Sequence, residues 1–276
     1  VDPVDKGKTP GLTAEEEQNV SENQPPRAVV LHETIRKQGE QELERSSSAL
    51  FWSALGAGLT MGLSLIAMGL LNSHLPEGET SKIISSLGYS VGFLAVILAR
   101  QQLFTENTIT AVLPIMTQPS LHMFRQLLRL WGIVLTGNLI GTSLISYVVL
   151  HLPLFEPRVD AAFLEIGRKV MENGVPEMFS KGIISGWMIA TMVWMIASAE
   201  QAKIWIIILI TYLMALGEFT HIIVGSAEVA YLVFSGELSW AEFGLVFAGP
   251  TLAGNIVGGT FIFTLLSHAQ IRSETP

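Results

Sequence analysis

Between Ala49 and Leu71 the chain runs for about 23 residues without a charged side chain. A helix of that length, rising about 1.5 Å per residue, crosses a hydrocarbon core roughly 30 Å thick. Similar runs recur at Ile83 to Leu98, Trp131 to Leu150, Ile183 to Ala199, Ile204 to Leu216 and Phe243 to Ser267. Backbone in lipid must satisfy its own N–H and C=O groups, so runs of this kind read as helices. The expected fold class is an all-α integral membrane protein with six transmembrane helices. Composition agrees: 49% of the residues are hydrophobic, 14% charged, and the mean hydropathy is +0.46. That is too apolar for a soluble domain, and a net charge of −8 argues against a nucleic-acid partner. Cysteine is absent, which excludes disulfides and thiolate metal or redox sites.

Residues 1–30, rich in Pro, Glu, Ser, Gln and Lys, read as a disordered polar tail, and 31–48 as an amphipathic helix on the membrane surface. The six-span domain is expected over 49–271, with halves at about 49–152 and 179–271. No apolar run before residue 49 resembles a signal peptide, so the first span is expected to stay in the mature protein. Arg36, Lys37, Arg45, Arg125, Arg129, Lys203 and Arg272 fall on one side of a six-span arrangement. Lys82, Arg158, Arg168, Lys169 and Lys181 fall on the other, mostly in one long connection that weighs less in setting orientation. Both termini are therefore expected to be cytoplasmic.

Spans two and five are interrupted. The second ends in Arg100-Gln101-Gln102 and the fifth in Gly217-Glu218, and each is followed by a short apolar piece, Thr108 to Met116 and Ile222 to Phe234. Breaks at membrane depth are tolerated where the backbone lines a cavity, so they point to a substrate path. The two halves also repeat. Leu135-Thr136-Gly137-Asn138-Leu139-Ile140-Gly141-Thr142 returns as Leu252-Ala253-Gly254-Asn255-Ile256-Val257-Gly258-Gly259. Leu103-Phe104-Thr105-Glu106 echoes Glu218-Phe219-Thr220-His221, and Phe51 with Gly58 echoes Phe179 with Gly186. A unit of three spans inserts its second copy upside down, which gives an inverted 3+3 repeat around a central site.

His221 lies at the second break, and an ionisable residue within a span is a functional candidate. Its imidazole can donate a hydrogen bond to an anion or relay a proton; the structural alternative is a histidine tied to Thr105. Thr105 and Thr220 can satisfy backbone groups freed by the breaks. Half-helix N-termini following both breaks would place partial positive charge at the centre, favouring an anion. Glu106 and Glu228 oppose that if ionised in the pore, and either could pair with Arg100 or face the interface. Arg100 reads as an interfacial anchor or as an attractor of anions. The Gly-Asn pairs read as packing devices, and Trp52, Trp131 and Trp240 as interfacial anchors. The six histidines are scattered, and no nucleophile–base pair, metal set or cofactor fingerprint is present, so neither an enzyme, a metal nor a cofactor is indicated.

Ala99-Arg100-Gln101-Gln102-Leu103-Phe104-Thr105-Glu106-Asn107, Gly137-Asn138, Thr220-His221, Gly254-Asn255-Ile256-Val257-Gly258-Gly259 and Ser267-His268-Ala269-Gln270-Ile271-Arg272 resemble the formate/nitrite transporter family, and its inner-membrane branch most. The resemblance covers about Leu31 to Ile271. It implies an aquaporin-like fold, homopentamers with one pore per protomer, a bacterial inner membrane, and passage of small monovalent weak-acid anions without ATP. By position it makes His221 the pore histidine and Thr105 its hydrogen-bond partner. Tyr89, Phe93, Leu103, Val193 and Met214 become apolar constriction residues, with Phe104, Phe219 and Thr220 beside them and Asn255 near the vestibule. Lys181 would stand in for a vestibule lysine that has no match at Gly174. The family's Phe-Glu-His is Phe219-Thr220-His221 here, followed by Gly225 in place of Asn, with Glu218 upstream. The leading expectation is passive or proton-coupled passage of formate- or nitrite-like anions. The alternatives are an aquaporin-like pore for neutral solutes, which lacks its Asn-Pro-Ala here, and an occluded membrane scaffold or regulator.

Overall fold

The computed structural model describes residues 13, 15, 26–76 and 78–274. The tail expected over 1–30 therefore lies, except for residues 13, 15 and 26–30, outside the described residues. Ten helices carry the fold of the described residues: α1 (Ala28–Glu44), α2 (Ser47–His74), α3 (Thr80–Leu98), α4 (Leu113–Thr117), α5 (Leu121–His151), α6 (Pro157–Met171), α7 (Val175–Ser198), α8 (Lys203–Leu216), α9 (Ile222–Ser235) and α10 (Trp240–Ile271). Five of them, α2, α3, α5, α7 and α10, are long and apolar enough to cross a membrane. Helices α8 and α9 have 14 residues each. That is about 21 Å, too short to cross alone, and the two follow each other across the break at residues 217–221. The fifth expected span is thus a broken one.

Within each half, helices pack through small residues. Ala54 and Gly58 of α2 face Gly137 and Gly141 of α5, and Gly182 and Gly186 of α7 face Gly254 and Asn255 of α10. Small residues let helix backbones approach where lipid supplies no hydrophobic drive. A Cβ on Gly58 would fall on the Asn138 carbonyl, as one on Gly186 would fall on that of Asn255. Gly58→Ala is therefore expected to destabilise the fold by about 1–3 kcal/mol, read as a lower unfolding temperature in detergent.

Backbone geometry gives the repeat its register. Helix α3 ends with Arg100 in the left-handed region (φ 53), Arg100 N–H bonding to Ile97 O at 3.2 Å and Gln101 N–H to Val96 O at 3.0 Å. Helix α8 ends the same way: Glu218 has φ 52, its N–H bonds to Ala215 O at 3.1 Å, and Phe219 N–H bonds to Met214 O at 3.0 Å. Both are Schellman caps with a non-glycine residue where glycine is usual, a conformation costing on the order of 1–3 kcal/mol that concentrates at functional breaks. Arg100 thus corresponds to Glu218 and Leu103 to His221. The side-chain match of Phe104-Thr105 to Phe219-Thr220 is out of register, because the shared feature is the cap and not the Phe-Thr pair.

The breaks continue differently. Helix α9 starts at once after His221, whereas the first break passes through a 3₁₀ turn, Glu106–Thr108, and irregular turns before α4 begins. Pro114 is tolerated only in the first turn of a helix, which delays α4 to Leu113. The two matched half-helices expected after the breaks are therefore one helix and one irregular segment. That segment is held from outside: Trp131 Nε1–H donates to Asn107 O at 3.2 Å, and Thr260 Oγ–H to Thr108 O at 2.8 Å. Trp131 thus braces the break.

Two further elements flank the bundle. Helix α1 buries Leu31, Ile35 and Leu43 and reaches the first break through Gln102 Nε2–H to Glu42 Oε2 at 2.7 Å. Helix α6 occupies what read as a long connection. It starts on Pro157 after Glu156 and buries Val159, Ala162, Phe163 and Gly167 against α2 and α9.

Candidate pore and vestibule

A cavity of about 660 Å³ opens on the face covered by α6 and descends between α3, α8 and α9. Its mouth carries Lys82, Arg158 and Lys169; its depth carries Tyr89, Met214, Phe219, His221, Gly225, Glu228 and Phe247. Helix α3 supplies one wall turn by turn: Lys82, then Ser85 and Ser86, then Tyr89, all lining the cavity. Phe93 follows one turn deeper, fully buried and outside the lining. The wall therefore grades from charged to hydroxyl to aromatic in the direction of the centre.

At the mouth, Glu218 bridges three lysines: Lys82 Nζ at 2.5 Å, Lys169 Nζ at 3.1 Å and Lys181 Nζ at 3.9 Å. One carboxylate among three ammonium groups leaves a net positive ring. Lys181 thus reaches the mouth only through Glu218 and does not itself line the cavity. Lys82 and Lys169, read only as orientation markers in the sequence, join it from distant segments.

His221 sits at the base, 1% exposed, as the N-cap of α9. Its Nδ1 accepts from the backbone N–H groups of Ile223 at 3.3 Å and Val224 at 3.4 Å. A ring nitrogen that accepts carries no proton, so the neutral ring holds its hydrogen on Nε2. Nε2–H then donates to Thr105 Oγ1, 2.8 Å away and fully buried. The hydroxyl hydrogen of Thr105 is left to donate to another group. Phe93 packs edge-on against the imidazole, centroids 5.1 Å apart, and Tyr89 packs against Phe93 at 5.4 Å. Leu103, Phe104 and Met214 belong to the same buried apolar cluster.

Of the remaining sequence candidates, Thr220 and Glu228 line the cavity and the others do not. Asn255 does not face the solute path: its Oδ1 accepts from Ile222 N–H at 2.9 Å, while Nδ2 donates to Gly182 O at 2.9 Å and Thr220 O at 3.1 Å. All its capacity is spent holding the second break. Asn138 does the same for the first, accepting from Phe104 N–H at 3.0 Å and donating to Ala54 O at 2.8 Å and Gln102 O at 2.9 Å. The two staples repeat the 102/220 and 104/222 register. Thr220 spends its hydroxyl on Met178 O at 2.8 Å and corresponds to Gln102, not to Thr105. Val193 packs with Ile35, Ile109, Leu113 and Ala190, apart from the cluster around His221. Arg100 is exposed, and among the described residues neither it nor Glu106 makes an ion pair. Glu228 lines the cavity.

The formate/nitrite transporter family model matches residues 29–269, from α1 to the end of α10. The chain belongs to the formate/nitrite transporter family. It is 55% identical over 250 residues to inner membrane protein YfdC of Escherichia coli, covering 91% of this chain and 81% of that protein. The fold matches an FNT family ion channel with a TM-score of 0.77 at 19% identity, over 90% of this chain and 100% of that one. It also matches a pentameric formate channel with formate bound, with a TM-score of 0.70 at 20% identity, over 82% and 98%. This family is one of transporters and channels and not of enzymes, and the fold is the aquaporin-like one expected for it.

Proposed function

We propose that this chain forms a pore for small monovalent weak-acid anions of the formate and nitrite kind, with His221 and Thr105 at its centre. The observation that carries the reading is the buried His221–Thr105 pair, ringed by aromatic and aliphatic side chains at the base of a lysine-rimmed vestibule. The lysines raise the local concentration of anions by long-range attraction. Beyond them an apolar constriction stops a bare anion, because desolvating an unpaired charge is costly. A protonated weak acid faces no such barrier. The Thr105 hydroxyl, its oxygen engaged by His221, offers a hydrogen to the solute as it passes Tyr89 and Phe93.

The formate-bound pentamer to which the fold is similar supports extending formate-like solutes and five-fold assembly to this chain. The inner-membrane relative supports a bacterial inner membrane, and the basic residues of α1 and of the first turns of α5 support cytoplasmic termini. The lysine ring disfavours a pore for neutral solutes alone.

The test is vesicle swelling with reconstituted protein under inward gradients of formate, nitrite, acetate, hydrosulfide and glycerol. Swelling is expected for at least one weak-acid anion and not for glycerol. No response to any of the anions, from folded protein, would favour an occluded membrane scaffold. Glu218→Gln is expected to raise anion flux severalfold at low ionic strength, since it frees three lysines. The gain should shrink at about 0.5 M salt, where screening acts within a few ångströms.

A further inference from the structure

Helix α9 carries a second chemical group into the vestibule. His221, Gly225 and Glu228 recur at spacings of four and three, the repeat of one helix face, and all three line the cavity. Glu228 is 5% exposed and lies about 10 Å along the helix axis from His221. Its Oε2 comes within 3.9 Å of the point where a Cβ on Gly225 would stand, so the carboxyl leans back along α9 toward His221. Among the described residues its side chain makes neither a hydrogen bond nor an ion pair. A carboxyl without a protein partner that lines a solute cavity is free to exchange hydrogen bonds and protons with what fills it.

We infer that Glu228 is the proton-exchange group of the vestibule, the residue that hands a proton to the incoming anion before it reaches His221. The inference rests on the weak-acid reading above. His221 is poorly placed to donate that proton, because Nδ1 is held as an acceptor by two N–H groups and Nε2–H is committed to Thr105. The carboxyl carries no such commitments. The other titratable and charged groups lining the same cavity are Lys82 and Tyr89 from α3, Arg158, Glu165 and Lys169 from α6, and Glu218 and His221 from the break. The cavity-lining residues of α2 (Met68, Asn72 and Ser73) and of α10 (Phe247) are uncharged, and α5 contributes none. An ionised carboxylate here would repel an anion, so the anion occupies the space beside it only while Glu228 keeps its proton. In the transfer, the O–H bond of Glu228 breaks as an O–H bond forms on formate. Neutral formic acid moves on past His221, and the carboxylate recovers a proton from vestibule water.

Glu228→Gln keeps the shape of the side chain but has no proton to give. In liposomes, formate-driven acidification of the lumen is expected to fall about tenfold or more, and the residual flux to lose its dependence on external pH between about 5 and 7. Wild-type flux and pH dependence in folded Glu228→Gln would overturn the inference alone. Absent flux in the wild type would overturn the underlying reading with it. A second arm uses the wild-type protein: an apolar carbodiimide, which attacks protonated carboxyls, should modify Glu228 at about pH 6, with formate protecting it and flux falling as the adduct accumulates. No adduct at Glu228 by peptide mass analysis, or an adduct with full flux, would also overturn it.

Discussion

Liposomes bearing His221→Ala are expected to take up formate about 10–100-fold more slowly than wild type. A polar group left without its hydrogen bond in a desolvated site costs about 1–3 kcal/mol, and each ~1.4 kcal/mol is a factor of ten in rate. Two losses combine. The solute loses a polarised Thr105 hydroxyl, since Nε2–H no longer engages its oxygen, and α9 loses the cap that Nδ1 provides. The cap itself is worth about 1 kcal/mol, so the protein should remain folded and the effect should appear in flux. Thr105→Val keeps the volume and removes the hydroxyl, and it should slow formate by a similar factor. Flux unchanged in both variants, or raised without selectivity, would show that the pair is only structural.

Asn138→Ala and Asn255→Ala are expected to destabilise the protein by on the order of 2–6 kcal/mol each. Either change strands one buried N–H and one carbonyl of the break, and each stranded group costs roughly 1–3 kcal/mol. For Asn255 these are Ile222 N–H and Thr220 O, and for Asn138 Phe104 N–H and Gln102 O, while Gly182 O and Ala54 O keep their bonds within α7 and α2. Aspartate is expected to be at least as damaging, because it cannot donate to the two carbonyls it would face. Thermal unfolding in detergent measures both. A wild-type unfolding temperature in either variant would mean that the breaks hold themselves.

Much of the fold was legible because lipid imposes simple rules on sequence. Runs such as Ala49 to Leu71 must be helices, and the recurrence of Gly137-Asn138 as Gly254-Asn255 exposes the repeat where helices cross on small residues. Helix α6 was missed because its amphipathic pattern is interleaved with charges, although Val159, Ala162, Phe163, Ile166 and Val170 follow a helical spacing. The register of the breaks was misread because residue identity was compared where only the backbone repeats. Arg100 and Glu218 share a left-handed cap and no chemistry. His221 and Thr105 were legible from the break and the family resemblance together. The lysine ring was not, since Lys82, Lys169 and Lys181 come from three separate segments and meet only through Glu218. Asn255 was misassigned because an asparagine beside a break can serve a solute or the backbone, and only the hydrogen-bond partners tell which.

If a weak-acid anion crosses this protein with its charge neutralised by a proton, the two must enter together. The most direct measurement follows luminal pH and formate uptake simultaneously in wild-type liposomes held at defined membrane potentials. One proton is expected to enter with each formate, with acidification well above that of protein-free liposomes and a rate indifferent to potential. Formate uptake that tracks the potential without acidification would contradict this and make the protein a conductor of bare anions.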